Sequence, residues 1–92
     1  MMMAEKKSQN EESLNTAVET LNQIATNYST PKNIRKTISD LANDLKSDEY
    51  SMSVRASNAI SMLDDITQDP NMPSYVRVTL WQAVSKLEGI RE

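Results

Sequence analysis

The chain has 92 residues, no cysteine, no histidine, one glycine and a net charge of −3. A domain of this length buries only about 60 to 65% of the surface its unfolded chain exposes, so its core must be efficient or shared. The missing residue types exclude disulfides, thiol nucleophiles, the common zinc and copper ligands and imidazole proton transfer; the lone glycine excludes Gly-rich phosphate loops and disfavours tight β-hairpins; and the acidic balance argues against non-specific nucleic-acid binding. What remains points to a helical, non-enzymatic chain that uses no metal and no cofactor. No apolar run approaches the roughly 18 to 20 residues of a membrane span. The opening MMMAEKKSQNEE lacks the apolar centre of a secretory signal, and the chain reads as cytoplasmic.

Residues 1–12 are polar and charged apart from their methionines, and are expected to form a flexible N-terminal arm. A single helical domain over 13–92 follows, made of two repeats at about 14–46 and 51–91. The first helix is predicted over about 9–28, with Ser8 and Glu11 as a capping box at its start. Leu14, Ala17, Val18, Leu21, Ile24, Ala25 and Tyr28 fall on one side of it, and Asn15, Glu19, Asn22, Gln23 and Thr26 on the other. Pro31 stops that helix and suits the first turn of the second, over about 32–46, with Thr30 as its N-cap. The second helix turns Ile34, Ile38, Leu41, Ala42 and Leu45 inward. A third helix over about 51–68 presents Ala56, Ala59, Ile60, Met62, Leu63 and Ile66 on one side, until the two prolines of QDPNMP end it. The fourth, over about 73–91, carries Val76, Leu80, Ala83, Val84, Leu87 and Ile90 on its inner stripe.

Sliding the chain on itself by 42 residues aligns the first two helices with the last two without a gap. Ala17 meets Ala59, Leu21 meets Leu63, Ile24 meets Ile66, Asn27 meets Asp69, Pro31 meets Pro73 and Arg35 meets Arg77. The segments NYSTPKNIR and DPNMPSYVR are therefore two copies of one inter-helix turn, and the chain is one structural unit used twice. Inside it, an Ile or Val followed by Arg opens the last three helices, at Ile34-Arg35, Val54-Arg55 and Val76-Arg77.

This pattern resembles the HEAT repeat, which gives an all-α expectation of two tandem HEAT-like αα-hairpins. The resemblance implies that an acidic turn residue and the following Arg hold successive hairpins, and that stacked hairpins bind other proteins. A more specific likeness lies in VRASNAISMLDDITQDPNMPSYVRVTLWQAVSKLEGIRE with TPKNIRK upstream. With its V-R-x-x-x-A-I-x-x-L-D core, D-P-N-M-P turn and late Trp, it is similar to the short archaeal proteins grouped as uncharacterised protein family 0147. That likeness implies a four-helix array and an archaeal cytoplasmic setting, and carries over no functional residue.

Several side chains invite a chemical reading. Asp64, Asp65 and Asp69 resemble a hard-cation cluster, but the first two point about 100° apart on a helix and no calcium-loop spacing surrounds them. Asp40 and Asp44 lie one helical turn apart, yet no nucleophile or pocket signal accompanies them. Arg35, Arg55 and Arg77 are expected to brace turns through carbonyls and through Asp48 or Asp69. The alternative joins those arginines with Lys32 and Lys36 in a basic strip for nucleic acid.

The difference between the repeats is more telling. Tyr75, Val78 and Trp81 replace Asn33, Lys36 and Ser39 at matched positions. Helix four thus gains an apolar second side, which either packs within the chain or forms an interface together with Met72. A homo-oligomer, with a dimer favoured, fits the rule that repeat arrays need about three units to be stable. Covering the three side chains would remove on the order of 400 Å² of apolar surface per chain, roughly 10 kcal/mol gross, against an association cost of about 4 to 15 kcal/mol. The expected dimer is weak unless Met72, Leu80, Val84 and Glu88 join the contact.

Overall fold

A computed structural model describes residues 2–47 and 49–90, with side chains from residue 9 onward. These residues form four helices: α1 (Met2–Ala25), α2 (Lys32–Lys46), α3 (Met52–Thr67) and α4 (Ser74–Glu88). α1 starts well before the predicted residue 9, so the expected arm is, from Met2 on, the first part of α1, and Ser8 lies inside the helix rather than at its cap. Met, Ala, Glu, Lys and Gln are strong helix formers, and no Pro or Gly interrupts them before Pro31, so propensity favours a helix from its first residues. Among the residues whose side chains are described, Asn10 is the first that is buried.

α1 also ends earlier than its apolar spacing suggests. The Asn27 amide donates to the Ile24 carbonyl at 3.1 Å, and the Asn27 Oδ1 accepts from the Ser29 amide at 2.9 Å. The chain thereby leaves the helix in an Asx turn. Tyr28, placed on the inner side by periodicity, is 88% exposed, with the Arg35 guanidinium 4.9 Å from its ring centre. Thr30 does not cap α2. Pro31 occupies the N-cap position with no side-chain bond. The Thr30 side chain turns inward, with its Oγ1 buried and unpaired among the described residues.

The α3–α4 turn repeats the backbone and Asx bonds of the α1–α2 turn. The Asp69 amide donates to Ile66 O at 3.1 Å, the Asp69 carboxylate accepts from the Asn71 amide at 2.8 Å, and the Met72 amide donates to Asp69 O at 3.1 Å, as Thr30 does to Asn27 O at 3.0 Å. Asn27 and Asp69 do the same work because an Asx turn needs only one side-chain oxygen. α3 differs in its start: the Ser51 Oγ accepts from the Val54 amide at 3.3 Å, an N-cap that α2 and α4 lack.

The helices close into a ring, with principal contacts α1 to α2, α2 to α3, α3 to α4 and α1 to α4. Two αα-hairpins are present, but they meet first helix on last rather than like helix on like, the docking an open array would use. The core inside the ring comes from all four helices, with Leu21, Ile38, Leu63 and Leu80 wholly buried. Met62, predicted to face inward on α3, is 44% exposed. Met52, Ile60 and Ile66 pack against the core from partly buried positions. The ring is least closely knit between α2 and α3.

A candidate interaction face on α4

α4 commits its inner stripe, Val76, Leu80, Ala83, Val84 and Leu87, to the core. Its outer side carries Tyr75, Val78 and Trp81, at 51%, 49% and 53% exposure. Spaced three apart, they are neighbours along the helix surface, so they form one stripe rather than three separate spots. Ser74, Gln82 and Ser85, all exposed, flank the stripe. This outer side carries no charge until Lys86 and Glu88 in its last turn, whereas α2 offers Lys32, Lys36 and Asp40 at matched positions. The second side of α4 is therefore surface and not intrachain core. Met72, grouped with it on sequence, is buried at 4% exposure because the residue before the turn proline points inward in both repeats. Leu80 and Val84, expected to broaden the contact, are core residues as well, which leaves Glu88 alone of the expected flanking set on the surface.

The three arginines serve the turns. Arg35 Nε donates to Thr30 O at 3.0 Å, Arg55 Nη1 to Leu45 O at 2.7 Å, and Arg77 Nε and Nη2 to Thr67 O at 2.8 Å and Asp69 O at 3.2 Å. Arg55 and Arg77 each reach back ten residues to a carbonyl at the C-terminal end of the preceding helix, which has no partner in its own helix. At Asp69 the partner is the backbone carbonyl, while the carboxylate accepts from the Asn71 amide. Asp48 lies outside the described residues. Because the hairpins alternate in direction, Arg35 and Arg77 sit at one end of the ring and Arg55 at the other, so they do not line up with Lys32 and Lys36 in a single strip.

Asp40, Asp44, Asp64 and Asp65 are exposed. Among the described residues no group of three or more carboxylate, His or Cys side chains is placed to hold a metal ion. No helix there is long and apolar enough to cross a membrane.

Residues 1–90 match the family described as Uncharacterised protein family (UPF0147). The chain belongs to UPF0147. A UPF0147 protein of Metallosphaera sedula is 43% identical over 83 residues, covering 90% of this chain and 93% of the relative, and one of Sulfurisphaera tokodaii is 40% identical over the same coverage. Among solved structures, a UPF0147 protein from Thermoplasma acidophilum matches with a TM-score of 0.85 at 30% identity, over 91% of this chain and 99% of that one. A crystallised protein of unknown function matches with a TM-score of 0.84 at 36% identity, over 89% of this chain and 93% of that one. The UPF0147 relatives named here are archaeal, and this chain shares its fold with both solved structures.

Proposed function

We propose that this UPF0147 protein is a non-catalytic interaction module that self-associates, as a homodimer, through the outer side of α4. The observation that carries this reading is the uncharged stripe of Tyr75, Val78 and Trp81, half exposed on a helix whose repeat partner is polar at the same positions. Exposed aromatic clusters on small domains mark contact surfaces, and Trp and Tyr are enriched where binding energy concentrates. A twofold pairing of α4 would set the stripe against its own copy and cover both at once.

Magnitude sets the expected affinity. Half exposure leaves roughly 100 Å² on each of the three side chains, about 600 Å² for a pair of chains, or some 15 kcal/mol gross at about 25 cal/mol per Å². Association costs about 4 to 15 kcal/mol, and stable interfaces bury about 1,200 Å² or more. With Met72, Leu80 and Val84 committed to the core, the pairing belongs in the micromolar range or weaker. Light scattering after size exclusion, on the native chain and on the Val78→Asp, Trp81→Ala double variant, tests it. A native mass that rises toward that of a dimer with concentration, and a variant that stays folded by circular dichroism and monomeric, is the expected result. A native chain that stays monomeric at all concentrations refutes the dimer.

A further inference from the structure

We infer that the cleft between α2 and α3 binds a small neutral molecule that joins a benzene-sized apolar part to a hydrogen-bond acceptor. Three observations at different levels converge on it. The first is the gap itself: where the ring is least closely knit, a partly enclosed cavity of about 170 Å³ opens, with Leu41, Leu45, Ala59 and Met62 in its wall. A dry apolar cavity of about 150 Å³ is large enough to hold one benzene ring.

The second is Arg55, which also lines the cavity. In Arg35 and Arg77 the Nε donates to a turn carbonyl, whereas the Arg55 Nε is buried with no partner among the described residues. Its Nη1, fixed at 2.7 Å on Leu45 O, holds the guanidinium in place at the cavity wall, and a ligand reaches the covered Nε by displacing the groups packed over it. A buried donor without an acceptor costs about 1 to 3 kcal/mol, more when it is charged, and an acceptor brought by a ligand recovers that loss. The third is the charge around it. Asp44 and Glu49 stand in the same wall, and with Arg55 they leave the lining negative on balance, which disfavours a carboxylate or phosphate and favours an amide or other neutral carbonyl.

The repeat sets this cleft apart from its counterpart. Its counterpart lies between α4 and α1, where Ser13 stands in place of Arg55 and Thr20 in place of Met62. That junction is among the most closely packed in the ring. The cation and the soft, adaptable methionine occur only on the open side.

Proton–nitrogen NMR of the full chain during titration with benzamide tests the inference. The Arg55 Nε–H signal and those of Ala59 and Met62 are expected to move together along one saturating curve, while the Nε–H signals of Arg35 and Arg77 stay in place. Benzoate is expected to bind more weakly than benzamide. Arg55→Lys, which keeps the charge but not the fork, should weaken benzamide about tenfold, the equivalent of 1.4 kcal/mol. Should that variant fail to fold, Met62→Asp at a half-exposed position replaces it, with the same loss expected. The inference is overturned if benzamide gives no saturating shift in the cleft, as a cavity serving only water would behave. It is overturned equally if the shifts centre on Trp81 and Tyr75, or if folded variants bind as well as the native chain.

Discussion

Thr30 and Arg77 show how the turns weigh on stability one side chain at a time. The Thr30 hydroxyl is desolvated on folding and its Oγ1 gains no partner among the described residues, so the group costs more than it returns. Thr30→Val keeps the shape and removes that cost. Thermal or urea unfolding should show the variant more stable by about 1 kcal/mol, and a loss would mean that the hydroxyl is satisfied by water. Arg77 holds two carbonyls of the α3–α4 turn and Arg35 one carbonyl of the α1–α2 turn. Arg77→Ala should therefore destabilise by about 2 to 3 kcal/mol and Arg35→Ala by about 1, the part-buried setting reducing both. Equal losses would show that the arginines act through their aliphatic stems instead. At this scale the sequence was readable where spacing decides and silent where turn chemistry does. Tyr28 fits the helical period, but the Asn27 side chain ends the helix first, and Met72 lies in a turn where no period applies. The repeat offered one unused signal, since Met72 aligns with Thr30, the residue before the earlier turn proline.

Among the elements, α3 depends most on its first turn. Two of its buried positions are the small Ala56 and Ala59, and Met52, Ile60 and Ile66 are only partly buried, so packing holds it less firmly than Leu21 and Ile24 hold α1. Ser51 compensates by capping it, and Ser51→Ala should destabilise by about 0.5 to 2 kcal/mol. Ser74→Ala, at a helix start without a side-chain cap bond, should change stability by a few tenths at most. Urea midpoints for the two variants separate these outcomes, and similar losses would argue that the Ser51 bond contributes nothing. The number and order of the helices were legible because apolar positions recur at i+3 and i+4 throughout, with prolines at two of the three turns. The early start of α1 was not, because residues 2–9 carry propensity without an amphipathic pattern.

For the whole molecule, the 42-residue repeat yields two hairpins related by an approximate twofold, and the ring closes on itself. Sequence periodicity could not select between a closed ring and an open stack, since either arrangement buries the same stripe on each helix. The core is nearly symmetric and the surface is not: the second repeat replaces polar residues with Tyr75, Val78 and Trp81 on α4. That asymmetry was visible from sequence alone; whether the stripe was core or surface became decidable only once the helices were docked. Because Trp81 is the only tryptophan, its fluorescence reports on the α4 face alone. The measurement to make is Trp81 emission and quenching by acrylamide across a dilution series of the native chain, spanning millimolar to submicromolar. The account predicts that emission moves to longer wavelength and quenching rises as the chain is diluted, because a weak dimer releases the stripe to water. Emission and quenching that stay constant over the series, at the values of a half-exposed indole, would contradict it.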